Sequence, residues 1–136
     1  MPNRGGKDVR TYPAIFSRNG STVSVEFPDL PGCVTFGKTE EEAISRAKEA
    51  LEGFLYYSEQ DGDVVSAPTP FDKLAVKKRE AVVLVTVRMD IVREEEANKS
   101  ITKSVTIPNW LNKLGIEANI NFSGALQDAL KERLGV

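Results

Sequence analysis

The chain contains no histidine, a single cysteine and no long apolar run. Without histidine it lacks the usual general base near neutral pH and the commonest protein ligand for metals. One cysteine, Cys33, excludes an internal disulfide, argues against a metal cluster and points to a reducing compartment. No stretch approaches the apolar length that a membrane span or a signal peptide needs, so the expected location is the cytoplasm. Internal repeats and low-complexity tracts are absent as well, and no metal or other cofactor is expected.

What is present is ordinary for a globular protein: 136 residues, 40% of them apolar and 28% charged. That length accommodates one domain, or a compact domain with a small one that borrows core from a partner. The overall charge of −2 is unevenly spread. Residues 1–92 carry 12 basic and 14 acidic side chains, 93–98 one and three, and 99–136 five and three, so only the last block is positive. This suits an acidic body that meets a basic partner and a small end that meets phosphate.

Residues 1–8 have no periodicity and are expected to fray. Tyr12, Ala14 and Phe16 then alternate with exposed positions, as do Val23, Val25 and Phe27, and Asn19-Gly20 between them predicts a type I′ hairpin turn. Pro13 cannot donate to a sheet ladder, which predicts an edge position for the first strand or weak pairing on that side. A proline-bracketed turn, Pro28 to Pro31, leads into a short third strand ending at Gly37. Thr39 and Glu42 form a capping box for a helix to about Tyr57, with Ala43, Ala47, Ala50, Leu51, Phe54 and Leu55 on its apolar stripe and Gly53 kept for close packing. Residues 58–79 are a polar connection. The apolar run Ala81–Met89 predicts a strand buried on both faces at its start and central in its sheet. The expected class is α+β, a small antiparallel or mixed sheet with one helix in the order β-β-β-α-β.

Glu94-Glu95-Glu96 marks a composition break, and 93–98 is expected to be a linker between a body at 9–92 and a tail at 99–136. In the tail, Ile101, Val105 and Ile107 fall on one face of a predicted strand, with Thr102, Ser104 and Thr106 on the other. Pro108 opens a helix that Gly115 is expected to stop or loosen, and Asn121 caps a last helix. A strand with one apolar face and no partner leaves its backbone groups wet, so this segment needs a second copy of itself. Val105, Ile107, Trp110, Leu114, Phe122, Leu126 and Leu130 form the predicted dimer core. Two such strands paired antiparallel make a ribbon that fits the DNA major groove. Thr102, Ser104 and Thr106 would then read base edges, while Lys99, Lys103 and the helix start at Asn121, Phe122 and Ser123 would hold phosphate.

Other chemistry is poorly supported. A metal-dependent nuclease would need clustered carboxylates, and the candidates Glu26, Asp29 and Asp90 are sparse. Cys33 has no histidine base beside it and reads as a small buried hydrophobe. Gly32 and Gly37 do not have the spacing of a phosphate loop. An interaction module whose tail only dimerises remains the second reading.

The segment Phe27-Pro28-Asp29-Leu30-Pro31-Gly32-Cys33-Val34-Thr35-Phe36-Gly37-Lys38-Thr39-Glu40-Glu41-Glu42-Ala43, continuing through Ala47-Lys48-Glu49-Ala50-Leu51, resembles the signature of HicB antitoxins. Residues 99–136, with Val105-Thr106-Ile107-Pro108-Asn109-Trp110-Leu111 and Asn119-Ile120-Asn121-Phe122-Ser123, resemble the ribbon-helix-helix tail of one branch of that family. The resemblance implies a partial ribonuclease H-like body without catalysis, a HicA-type partner toxin that cleaves messenger RNA, and repression of the shared operon through operator DNA. It implies a homodimer, or dimers paired into tetramers. On this footing the toxin-binding surface is expected at Asp29, Leu30, Pro31 and Gly32 and at the acidic helix start, Glu40 and Glu41. Phe122 stands where such tails often carry a basic residue, which leaves backbone N–H groups to hold phosphate.

Overall fold

The computed structural model describes residues 6–136, which divide into two compact units, one ending at Lys99 and one spanning Ser100–Val136. In the first unit, strands β1 (Val9–Asn19), β2 (Thr22–Glu26), β3 (Val34–Gly37) and β4 (Glu80–Arg88) form one antiparallel sheet in the order β3-β2-β1-β4. Helix α1 (Glu40–Gln60) covers one face of that sheet, and α2 (Met89–Asn98) follows β4 directly. The α+β class expected from the sequence is the class observed.

The alternation seen in the sequence builds the core. Tyr12, Ala14, Val23, Val25, Val85 and Val87 project from the sheet onto Ala43, Ala47, Leu51 and Leu55 of α1, all of them buried. Removing this apolar surface from water is the main force that seats the helix. Thr39 caps α1 by accepting a hydrogen bond from the Glu42 N–H at 3.1 Å, and three glutamates occupy the first turn, where the helix dipole favours them.

Several expectations are corrected. β1 is interior, with β2 on one side and β4 on the other, but pairing with β2 begins only at Ile15, so at Pro13 the strand has a neighbour on one side alone. The hairpin loop is Gly20-Ser21, closed by the Asn19–Thr22 pair, with positive φ at Gly20 alone among them; that pattern belongs to a type II′ turn. Gly53 has open space around it, so close packing is not its role. β4 lies at an edge of the sheet, and Leu84 in its middle is 53% exposed. Among the residues expected to fray, 1–5 lie outside the described residues. Asp8, by contrast, is firmly held: its N–H donates to the Asp90 carboxylate and its carbonyl accepts from Met89 N–H at 2.8 Å.

The predicted linker is helix. Met89 and Val92 are buried on the inner side of α2, which packs against α1, and Arg93 bonds the carboxylates of Glu59 and Asp8. Glu94-Glu95-Glu96 is part of that helix rather than a break in structure, with Glu94 and Glu95 exposed and Glu96 half-buried.

In the second unit, α3 (Asn109–Glu117) and α4 (Phe122–Leu134) are joined by a turn with Asn119 at φ +54°. Residues 100–108 form no strand. The strand expected there, with Ile101, Val105 and Ile107 on one face, is thus not observed: no described segment of the chain is placed to take its backbone hydrogen bonds. Gly115 sits inside α3 and does not end it. A Cβ there would stand 2.7 Å from the Phe122 ring, so this glycine lets the two helices meet.

Candidate partner-binding surfaces

The turn between β2 and β3 is organised by its own backbone. Phe27 N–H donates to Cys33 carbonyl, Leu30 N–H to Phe27 carbonyl, and Cys33 N–H to Leu30 carbonyl, at 2.9–3.1 Å. Gly32 takes φ +91°, where a side chain would be strained. This places the expected contact residues differently from one another. Pro31 and Gly32 are exposed, but Leu30 is buried in the core and cannot meet a partner. Asp29 is committed inward as well, its carboxylate accepting from the N–H and hydroxyl of Thr69 and pinning the long connection before β4. The same connection is held by Tyr12, whose hydroxyl donates to the Ser66 carbonyl at 2.7 Å.

Glu40 and Glu41 are exposed at the other end of α1, where Glu40 pairs with Arg18. They do not join the turn. Gly32 lines, with Ala50 and Gly53, a groove of about 440 Å³ that runs along α1 past Tyr57. At 1.5 Å per residue the two expected patches are roughly 15–20 Å apart along the helix. A groove of about 360 Å³ with an apolar floor of Phe16, Val23, Ile44 and Val83 opens beside Glu40.

The sequence reading missed an acidic surface shared by the two helices. Glu49 and Glu52 of α1 line one hollow with Glu95 and Glu96 of α2. Burial raises the Glu52 pKa, Lys48 opposes the rise, and the charges of Glu95 and Glu49 add to it. The signal was available: Met89, Val92 and Glu96 stand at helical spacing, so the glutamate run could have been read as one side of a helix.

The carboxylates considered for metal are not brought together. Asp29 is bound to Thr69, Asp90 to Arg88 and the Asp8 N–H, and Glu26 is exposed at the end of β2. Hydrogen bonding from Arg88 holds the Asp90 pKa far below the usual carboxylate range. Among the described residues no group of three potential ligands could hold a metal ion. Cys33 is buried, its thiol donating toward the Ala50 carbonyl, and burial pushes its pKa up to about 11, which keeps it protonated. No described helix is long and apolar enough to cross a membrane.

In the tail, Thr102, Ser104, Thr106 and Lys103 are exposed on the irregular segment before α3. Lys99 belongs to the end of α2, where its ammonium pairs with Glu96 at 2.7 Å. Asn121 caps α4 by accepting from Gly124 N–H at 3.2 Å, next to exposed Phe122 and Ser123. No residue from Ser100 onward is buried, and Val105, Trp110 and Leu114 stand in solvent, Trp110 at 64% exposure.

Three comparisons bear on this arrangement. Residues 12–129 match the family described as HicB-like antitoxins of bacterial toxin-antitoxin systems. Antitoxin HicB 2 of Photorhabdus laumondii subsp. laumondii is 38% identical over 68 residues, 49% of this chain and 46% of that protein, so the match spans about half the relative's length. Among solved structures, a chain of a toxin-antitoxin complex from Streptococcus pneumoniae is similar with a TM-score of 0.60 and 26% identity, covering 93% of this chain and 99% of that one. The antitoxin HicB of Burkholderia pseudomallei is similar with a TM-score of 0.55 and 25% identity, covering 92% and 98%. With the family match extending over both units of the chain, this protein belongs to the HicB-like antitoxins of bacterial toxin-antitoxin systems.

Proposed function

We propose that the chain is a non-catalytic antitoxin of the cytoplasm that binds and silences a small basic HicA-type ribonuclease through its body and represses its own operon through paired copies of its tail. The family match over residues 12–129 carries the reading. For the body, the contact surface proposed is Pro31-Gly32 together with the acidic outer side of α1 from Glu40 and Glu41 to Glu49 and Glu52. A basic partner lying along the helix reaches both expected patches despite their separation. For the tail, the unburied apolar residues of Ser100–Val136 support a dimer in which residues 101–107 of two chains pair as a ribbon. Thr102, Ser104 and Thr106 would face the groove, with Lys103, Lys99 and the Asn121–Ser123 helix start on phosphate.

The test uses the full chain. Titrated against operator DNA and random duplex, Thr106→Ala loses affinity for the operator by roughly 1–3 kcal/mol more than for random DNA, whereas Lys103→Ala weakens both alike. Equal losses for Thr106→Ala would remove the ribbon from the groove. Absence of operator binding at low salt would leave the tail as a dimerisation device alone. In a cleavage assay, the full chain protects messenger RNA from the partner toxin, and Glu41→Arg with Glu49→Arg weakens that protection. Undiminished protection would move the contact surface elsewhere.

A further inference from the structure

Gly53 stands in the interior of α1, where glycine weakens a helix relative to alanine, and nothing within the chain calls for it. Its backbone is ordinary helix, and a Cβ there would meet no atom within 4 Å. The space beside it is the groove along α1. Gly53, Phe54, Tyr57 and Asp61 line that groove at helical spacing, and Gly32 and Val34 line it from the start of β3, an edge strand of the sheet. Its walls are apolar and open to solvent, with Val34 62% and Tyr57 61% exposed.

One end of the groove is negative. The carbonyl end of α1 lies there, with no basic residue in its last turn. Arg93, which reaches that turn from α2, is spent on Glu59 and Asp8. Among the described residues no cation pairs with the Asp61 carboxylate. A helix C-terminus and a carboxylate both favour a cation. An apolar hollow that ends in uncompensated negative charge fits an apolar side chain with a basic neighbour. The groove is also continuous with the contact surface proposed above, since Gly53 and Tyr57 border the hollow of Glu49 and Glu52 as well. We propose that the HicA-type toxin seats one large apolar side chain in this groove, against Gly53, with a basic side chain beside it on Asp61. The assignment rests on the toxin-binding reading and gives Gly53 its role: a side chain at that position would fill the space the toxin's anchor needs.

Two substitutions separate this role from folding, because neither is expected to weaken the body. Gly53→Ala should raise its thermal midpoint by about 2–8 °C, and Asp61→Lys, which places a cation at the helix C-terminus, should not lower it. In calorimetric titration of the full chain with the partner toxin, Gly53→Ala is expected to weaken binding roughly 5- to 50-fold and Gly53→Leu, which fills the groove, by more. Asp61→Lys is expected to weaken it and to flatten its salt dependence. Unchanged affinity in Gly53→Leu overturns the assignment, and so does a Gly53→Ala chain that melts lower as it binds more weakly, which would place the loss in folding. If Glu41→Arg with Glu49→Arg weakens binding in the same titration while the Gly53 variants do not, the toxin-binding reading stands and the groove is not its anchor site. If the original chain binds no toxin, both fall.

Discussion

Gly37 ends β3 where the first turn of α1 crosses it, and a Cβ there would stand 2.4 Å from the Ala43 backbone nitrogen. Backbone cannot swing aside as a side chain can. Gly37→Ala is expected to cost about 1–3 kcal/mol, read as a lower midpoint in urea unfolding with an unchanged slope. Gly53, on the same helix with open space around it, gives the opposite sign. Gly53→Ala should gain about 0.5–1 kcal/mol from backbone entropy alone. The sequence presents both as glycines near one helix, and nothing local distinguishes them, because the difference lies in what the rest of the chain brings within reach. The same holds for Leu30 and Asp29. Both sit in a proline-bracketed turn that reads as exposed, and both are used inward by residues distant in sequence, Thr69 in the case of Asp29.

At the scale of elements, α2 is held by a charged cluster as well as by its buried Met89 and Val92. Arg93 reaches Asp8 at 2.7 Å and Glu59 at 2.6 Å, and Arg10 bonds Asp8 at 3.2 Å. For Asp8, burial opposes ionisation, but Arg10 and Arg93 outweigh it and lower the pKa; for Glu59, hydrogen bonding from Arg93 lowers it. A depressed folded pKa stabilises the fold above the ordinary carboxylate values, here 3.8 and 4.5, and that contribution is lost as pH falls through the folded values. Arg93→Ala should therefore cost about 1 kcal/mol at neutral pH, where partly exposed pairs are screened. The gap between the variant and the original chain should close as unfolding is followed below pH 4; a constant gap would assign the loss to packing of the arginine stem. α1 was legible throughout, since its cap, acidic first turn and apolar stripe are local. α2 was hidden because three consecutive glutamates have no period to show, and only the buried residues before them mark the helix.

At the scale of the whole molecule, the tail leaves large apolar residues such as Trp110 and Val105 exposed. Trp110→Ala should weaken the proposed tail dimer by roughly 3–5 kcal/mol, seen as a loss of concentration dependence in thermal unfolding of the Ser100–Val136 unit within the full chain. No change with concentration in the original chain would show that the unit does not dimerise. The alternating strands, the capped helix, the α+β class and the signature from Phe27 to Leu51 could be read from the sequence, because each rests on periodicity or spacing within a few residues. Strand order could not be read: whether β1 or β4 lies inside the sheet depends on pairings between residues 63 to 79 positions apart, such as Ser17 with Glu80 and Val9 with Arg88. The strand expected at 101–107 is the limiting case: alternation suggested it, but no described segment of the chain pairs with it and it does not form. Local patterns determined which residues turn inward and where the helices begin; only tertiary contact decided which turn residues are spent on the core, which glycines carry a close approach, and which edge of the sheet is left open.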